Sequence, residues 1–168
     1  MNLIALLQPF WQICLLRRGP QSLPASYGLL GVLLLLHVAL GATLEFLSPA
    51  SGRPLLGALL STFAMLVMVS MLLQLTGFGR RLLQTLSAVA GCDLVIGALL
   101  LPLFAIATPE PPLAVLLVLA WFGLLLWNLT ITAHILRCAI EVPFWVALVI
   151  AIGMVALLFG VVGPVAAG

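Results

Sequence analysis

The chain has 168 residues, of which 65% are hydrophobic and only 6% charged, and its mean hydropathy is +1.39. Soluble domains carry about 25% charged residues, so this composition excludes a water-facing domain. A net charge of +2, dispersed along the chain, excludes a nucleic-acid surface.

Residues 1–18 read as an amphipathic helix. Leu3, Ile4, Leu6, Leu7, Phe10, Trp11, Ile13 and Cys14 cover most of its circumference, while Asn2, Ala5, Gln8 and Gln12 form a narrow polar stripe. The segment is too short to span a bilayer, and Pro9 is expected to interrupt it. A secretory signal would place basic residues before its apolar part, whereas Arg17 and Arg18 follow it here. Two placements fit this pattern: a helix lying in the cytoplasmic interface with Trp11 at headgroup depth, or one packed beneath a helical bundle. The hinge Arg17-Arg18-Gly19-Pro20-Gln21-Ser22-Leu23-Pro24 then leads onward. Its arginines suit anionic headgroups, worth roughly 1 kcal/mol each.

Five apolar stretches follow, at residues 27–47, 55–76, 82–107, 113–136 and 144–165. Each reaches the roughly 20 residues that a membrane-crossing helix needs. Pro24, Pro54, Pro112 and Pro143 sit at or just before the starts of four of them, where a missing N–H costs nothing. Pro102 and Pro164 lie inside the third and fifth stretches, where a kink is expected. The predicted fold is therefore all-α: a polytopic membrane domain over residues 27–168, preceded by an interfacial helix and hinge over residues 1–26.

The arginines orient it. Arg17 and Arg18 precede the first span, Arg80 and Arg81 separate the second and third, Arg137 follows the fourth, and Arg53 alone falls on the other side. The positive-inside rule then places the N-terminus in the cytoplasm and the C-terminus outside. Glu110, between the third and fourth spans, falls outside as well. All six basic residues are arginine, which suggests a GC-rich bacterial genome and hence a bacterial cytoplasmic membrane.

Ionisable groups inside spans are costly and usually face a bundle interior or a wet cavity. His37 in the first span and Asp93 in the third each lie about 15 Å past their cytoplasmic boundary, and Asn128 in the fourth lies at about 14 Å. The expectation is a midplane cluster in which His37 pairs with Asp93 and Asn128 completes the set. It serves either as a clamp between helices or as a proton- or ion-coupled transport site. His134, one turn before Arg137, reads as a snorkelling interfacial histidine, too far from His37 to share a haem. Cys14, Cys92 and Cys138 lack zinc or redox spacing, and no disulfide is expected. Cys14 and Cys138 are both expected near the cytoplasmic surface.

Gly153, Ala156, Gly160 and Gly163 recur at spacings of three and four on the fifth span, and Ser87 with Gly91 forms a small pair on the third. Such faces let helices approach closely in lipid, within the bundle by default or against a partner or second copy. No His-Glu-x-x-His, Gly-x-Ser-x-Gly or phosphate-loop motif occurs. The expectation is a non-enzyme without metal or cofactor.

An N-terminal cytoplasmic segment followed by five closely spaced spans, with Asp93-Leu94 and Gly97 inside the third, resembles the Yip family of Ypt/Rab-interacting membrane proteins and its bacterial relatives. Val95 stands where that family's Asp-Leu-Tyr-Gly-Pro signature has tyrosine. The resemblance implies a non-enzymatic membrane protein. The functional expectation is a scaffold or accessory subunit binding other membrane components, partners being the lipid bilayer and a membrane protein or second copy. The alternative is a small proton- or ion-coupled transporter centred on His37 and Asp93.

Overall fold

Among the described residues, proline and glycine punctuate the chain into six α-helices: α1 (Leu3–Cys14), α2 (Tyr27–Leu47), α3 (Pro54–Leu75), α4 (Leu82–Ala105), α5 (Pro111–Ile140) and α6 (Phe144–Ala167). Short 3-10 turns at Pro20–Ser22 and Gly79–Arg81 precede α2 and α4. This computed structural model describes residues 3–47, 52–105 and 111–167; for 3–6, 104–105, 111–112, 162–163 and 165–167 only the backbone is described. Helices α2 to α6 contain five segments long and apolar enough to cross a membrane, so the chain is a multi-pass membrane protein.

The span boundaries match the apolar pattern closely, with one informative exception. Helix α5 continues past Leu136 through Arg137 to Ile140. A charge ends an apolar run but not a helix. What ends α5 is Glu141, at φ 57°. The last carbonyls of a helix lack internal partners, and here Arg81 supplies them, its guanidinium donating to the Cys138 and Ala139 oxygens at 3.2 and 2.9 Å. Residues 106–107, the predicted end of the third span, lie outside the described residues. Pro9, Pro102 and Pro164 all lie within continuous helices. The interruption expected at Pro9 is thus corrected: in a helix this short, proline's ring faces a first turn with few hydrogen bonds to lose.

Helix α1 closes with a left-handed residue. Arg17 N–H donates to Gln12 O at 2.9 Å and Leu16 N–H to Ile13 O at 2.8 Å, a Schellman arrangement with Leu16 at φ 60°. The same closure after α3 uses Gly77, at φ 81°. Leucine pays a Cβ clash in that conformation that glycine avoids, about 1 kcal/mol. Leu16→Gly is therefore expected to raise the melting midpoint in detergent. A lowered midpoint would mean that the exposed Leu16 side chain holds α1 in place.

Helix α4 is the centre of the bundle, packing against α1, α2, α3 and α5, while α3–α6 and α5–α6 contacts close the far side. Every residue from Thr85 to Cys92 is buried. That run (Thr-Leu-Ser-Ala-Val-Ala-Gly-Cys) is mostly small side chains, which lets neighbouring backbones approach from several directions. Gly97 serves the same end one turn further on, since a Cβ there would meet Leu40 Cδ2 of α2 at 2.7 Å.

The N-terminal helix is built into this core. Phe10, Ile13 and Cys14 are buried in the same cluster as Val69, Leu86 and Ile131. The Phe10 ring lies where a Cβ on Gly91 would stand, about 14 Å along α4 from Leu82. Trp127 Nε1 donates to Cys14 O at 3.0 Å, and Trp11 meets Trp127 edge-on at 6.4 Å. Phe10, Ile13, Cys14 and Leu23 thus share one core cluster with residues of the spans. A helix lying flat in the interface does not account for this burial, whereas packing against the bundle does.

Candidate functional site

Helices α4 and α5 meet around two polar side chains at mid-height. Asn128 Nδ2 donates to Asp93 Oδ1 at 3.1 Å, and Thr132, one turn along α5, donates its hydroxyl to Asn128 Oδ1 at 3.3 Å. The two bonds point the same way, so the relay ends on the Asp93 carboxyl. Among the described residues, no hydrogen bond to Asp93 Oδ2 is formed. Two of the three predicted cluster members therefore meet. Thr132 was missed, although its spacing of four from Asn128 puts both on one face of α5.

His37 completes the set differently from the expectation. It lies on the α2 stripe with Leu33, Leu40 and Leu44; Leu33 is buried and the other two approach Gly97 of α4. His37 is within electrostatic reach of Asp93, yet no hydrogen bond joins them. The predicted His–Asp pair is corrected to an Asp–Asn pair with a histidine nearby. Depth along three helices was readable, but rotation about their axes was not.

These groups border a cavity of about 330 Å³ between α3, α4, α5 and α6. Its polar wall is Asp93, Asn128 and Thr132; the rest is apolar, including Met65, Met68 and Met154. Among the described residues, none from a loop lines it. Its rim includes Leu126 and Ile152, which are 61% and 48% exposed, so it opens sideways through the lipid-facing wall. A larger groove of about 940 Å³ lies between α1, α2 and α4, with Gln8 and Thr43 as its polar members.

The remaining candidates sort by surroundings. Arg17, Arg18, Arg80 and Arg137 are exposed, in keeping with headgroup contact. Arg81 is different: besides capping α5 it pairs with Glu141 at 2.6 Å and lies 4.9 Å from the centre of the Phe78 ring. It is a strut between the α3–α4 and α5–α6 connections. His134 is buried rather than snorkelling, at 9% exposure. Its Nε2 lies 3.1 Å from Arg18 O; a carbonyl only accepts, so Nε2 carries the proton. Gln84 donates to Leu23 O at 2.8 Å and Gln21 to Cys138 O. Together these bonds tie the hinge to α4 and α5, which is why His134 was misread: its partner is a backbone carbonyl that no side-chain pattern announces.

Cys14 is likewise buried, and Cys92 Sγ lies 3.9 Å from Phe10 O. The surface placement of Cys14 is corrected with that of α1. Gly153, Ala156 and Gly160 face outward, with nothing within 4 Å of a Cβ built at either glycine. The small-residue face thus does not serve internal packing there; the side-chain position of Gly163 lies outside the described residues. Ser87 and Gly91, by contrast, are buried within the bundle.

Glu45 lies in the last turn of α2. Its carboxylate rests against Gly57 of α3, and Oε2 is buried without a hydrogen-bond partner among the described residues. Among those residues, no three His, Cys, Asp or Glu side chains gather as a metal set. The chain's likeness to the Yip family gains no support from comparison: no family model, curated protein or solved structure matches the chain.

Proposed function

We propose that this protein acts by binding within the bilayer rather than by catalysis, as a non-enzymatic scaffold or accessory subunit for other membrane components. The observation that carries this reading is the midplane cavity, which opens toward lipid through Leu126 and Ile152 and, among the described residues, is lined by helix residues alone. A component reaching it would come sideways through the membrane. A photo-crosslinking residue at Ile152 is expected to yield a discrete adduct in native membranes, and Ala156→Trp at the rim should suppress it. The same residue at Val149, exposed on α6 but outside the cavity, should yield none. Identical diffuse labelling at both positions would overturn the reading.

A small proton- or ion-coupled transporter is the second reading, favoured by the Asp93 carboxyl bordering the cavity. It requires Asp93→Asn to abolish flux in proteoliposomes while the bundle stays folded.

The proposed setting is a bacterial cytoplasmic membrane, N-terminus inside and C-terminus outside. The gathering of Arg18, Arg81 and Arg137 around the α5 end supports that orientation. Reporter fusions after Arg81 or Glu141 should report cytoplasm, and fusions near Arg53, Glu110 or Gly168 the outside. A cytoplasmic reporter at Gly168 would overturn it.

A further inference from the structure

We propose that the midplane cavity is a binding site for a lipid-soluble organic cation, an ammonium carried on an apolar body, held by the Asp93 carboxylate. This rests on the lateral-binding reading above and names its ligand.

The hydrogen-bond directions select the charge. Thr132 donates to Asn128 and Asn128 donates to Asp93 Oδ1, so the donors of this wall are directed inward along the relay. What remains for an occupant is acceptor capacity at Asp93 Oδ2, beside the second amide N–H of Asn128. An anion would meet the carboxyl oxygen, and a purely apolar molecule would leave it without a partner in a low dielectric. A cation offers that oxygen a donor and a charge that favours the ionised carboxyl. His37, within electrostatic reach on the α2 side, makes no hydrogen bond that would use Oδ2.

The walls select the body. About 330 Å³ falls in the range of small-molecule sites, and Met65, Met68 and Met154 are unbranched, polarisable side chains that adapt to differing shapes. Entry past Leu126 and Ile152 demands a molecule that dissolves in lipid. The headgroup ammonium of a phospholipid stays at the interface and does not reach midplane, so the occupant is a free amphiphile. The basic side chain of a partner helix has the right charge, but it fills only part of a space enclosed by four helices.

The test measures binding of radiolabelled decylammonium, whose N–H groups are donors, to the full chain in nanodiscs of phosphatidylcholine, with empty discs subtracted. Wild type is expected to bind it saturably at one site per chain. Asp93→Asn, which preserves an acceptor for Asn128, should weaken binding at least about tenfold. Ala156→Trp should block binding with Asp93 intact, and decanol, equal in chain length but neutral, should not compete. Absence of saturable binding by wild type would overturn the proposal, as would undiminished binding by Asp93→Asn or equal competition by decanol. If the Ile152 crosslink captures a polypeptide while the cation fails to bind, the occupant is a partner helix and lateral binding stands. If both experiments fail, lateral binding falls too.

Discussion

Replacing Gly91 with leucine is expected to drive α1 out of the bundle. The Phe10 ring occupies the space that any side chain at Gly91 would enter. Overpacking of this kind costs about 1–3 kcal/mol, comparable to what a short helix with one buried aromatic contributes. With Cys92 and Cys138 replaced by alanine, Cys14 is the sole thiol, and its alkylation by N-ethylmaleimide reports the outcome. Cys14 is fully buried in the native bundle and should resist labelling there, then react once Gly91→Leu expels the helix to the interface. Adding Phe10→Ala should restore part of the protection, because the ring removed is the one that clashes. A protected Cys14 and an unchanged melting midpoint in Gly91→Leu would show that α1 is not seated against α4.

Breaking the Asp93–Asn128 bond should produce the second large effect. Asp93→Leu leaves the Asn128 amide without its acceptor in an apolar setting, and a loss of about 0.6–1.7 kcal/mol is expected in detergent. Asp93→Asn retains an oxygen at the right place and should lose much less. The double variant Asp93→Leu with Asn128→Leu should recover part of the loss, since the unpaired donor is gone. Coupling between Asp93 and Asn128 is expected to exceed that between Asp93 and His37, where no hydrogen bond exists. Equal coupling in the two cycles would restore the histidine pairing that depth alone suggests.

How far the polar cluster was legible follows from helix geometry. Counting residues from the arginines located Asp93 and Asn128 at one level, because rise per residue is constant. Which of them would touch depended on how α2, α4 and α5 are turned, and nearly uniform leucine and valine spans give little periodic signal of their buried face. Only α4 gave a sign of its buried face, through the small pair Ser87 and Gly91. The outward face of α6 was misjudged for the same reason: glycines permit close approach but do not say to what.

The sequence by itself determined that helices would form, how many could cross a membrane, and where most of them begin. Lipid offers no partner to a bare N–H or C=O, so a long apolar run has no alternative to a helix. Only the tertiary structure decided what lies between those helices. It seated α1 in the core through a ring packed against Gly91, turned Arg81 and His134 from membrane anchors into donors for exposed carbonyls, and joined Asp93 to Asn128 instead of His37. Those outcomes depend on rotation and close approach between distant segments. In an apolar solvent they are settled by packing and hydrogen bonds rather than by hydrophobic pattern.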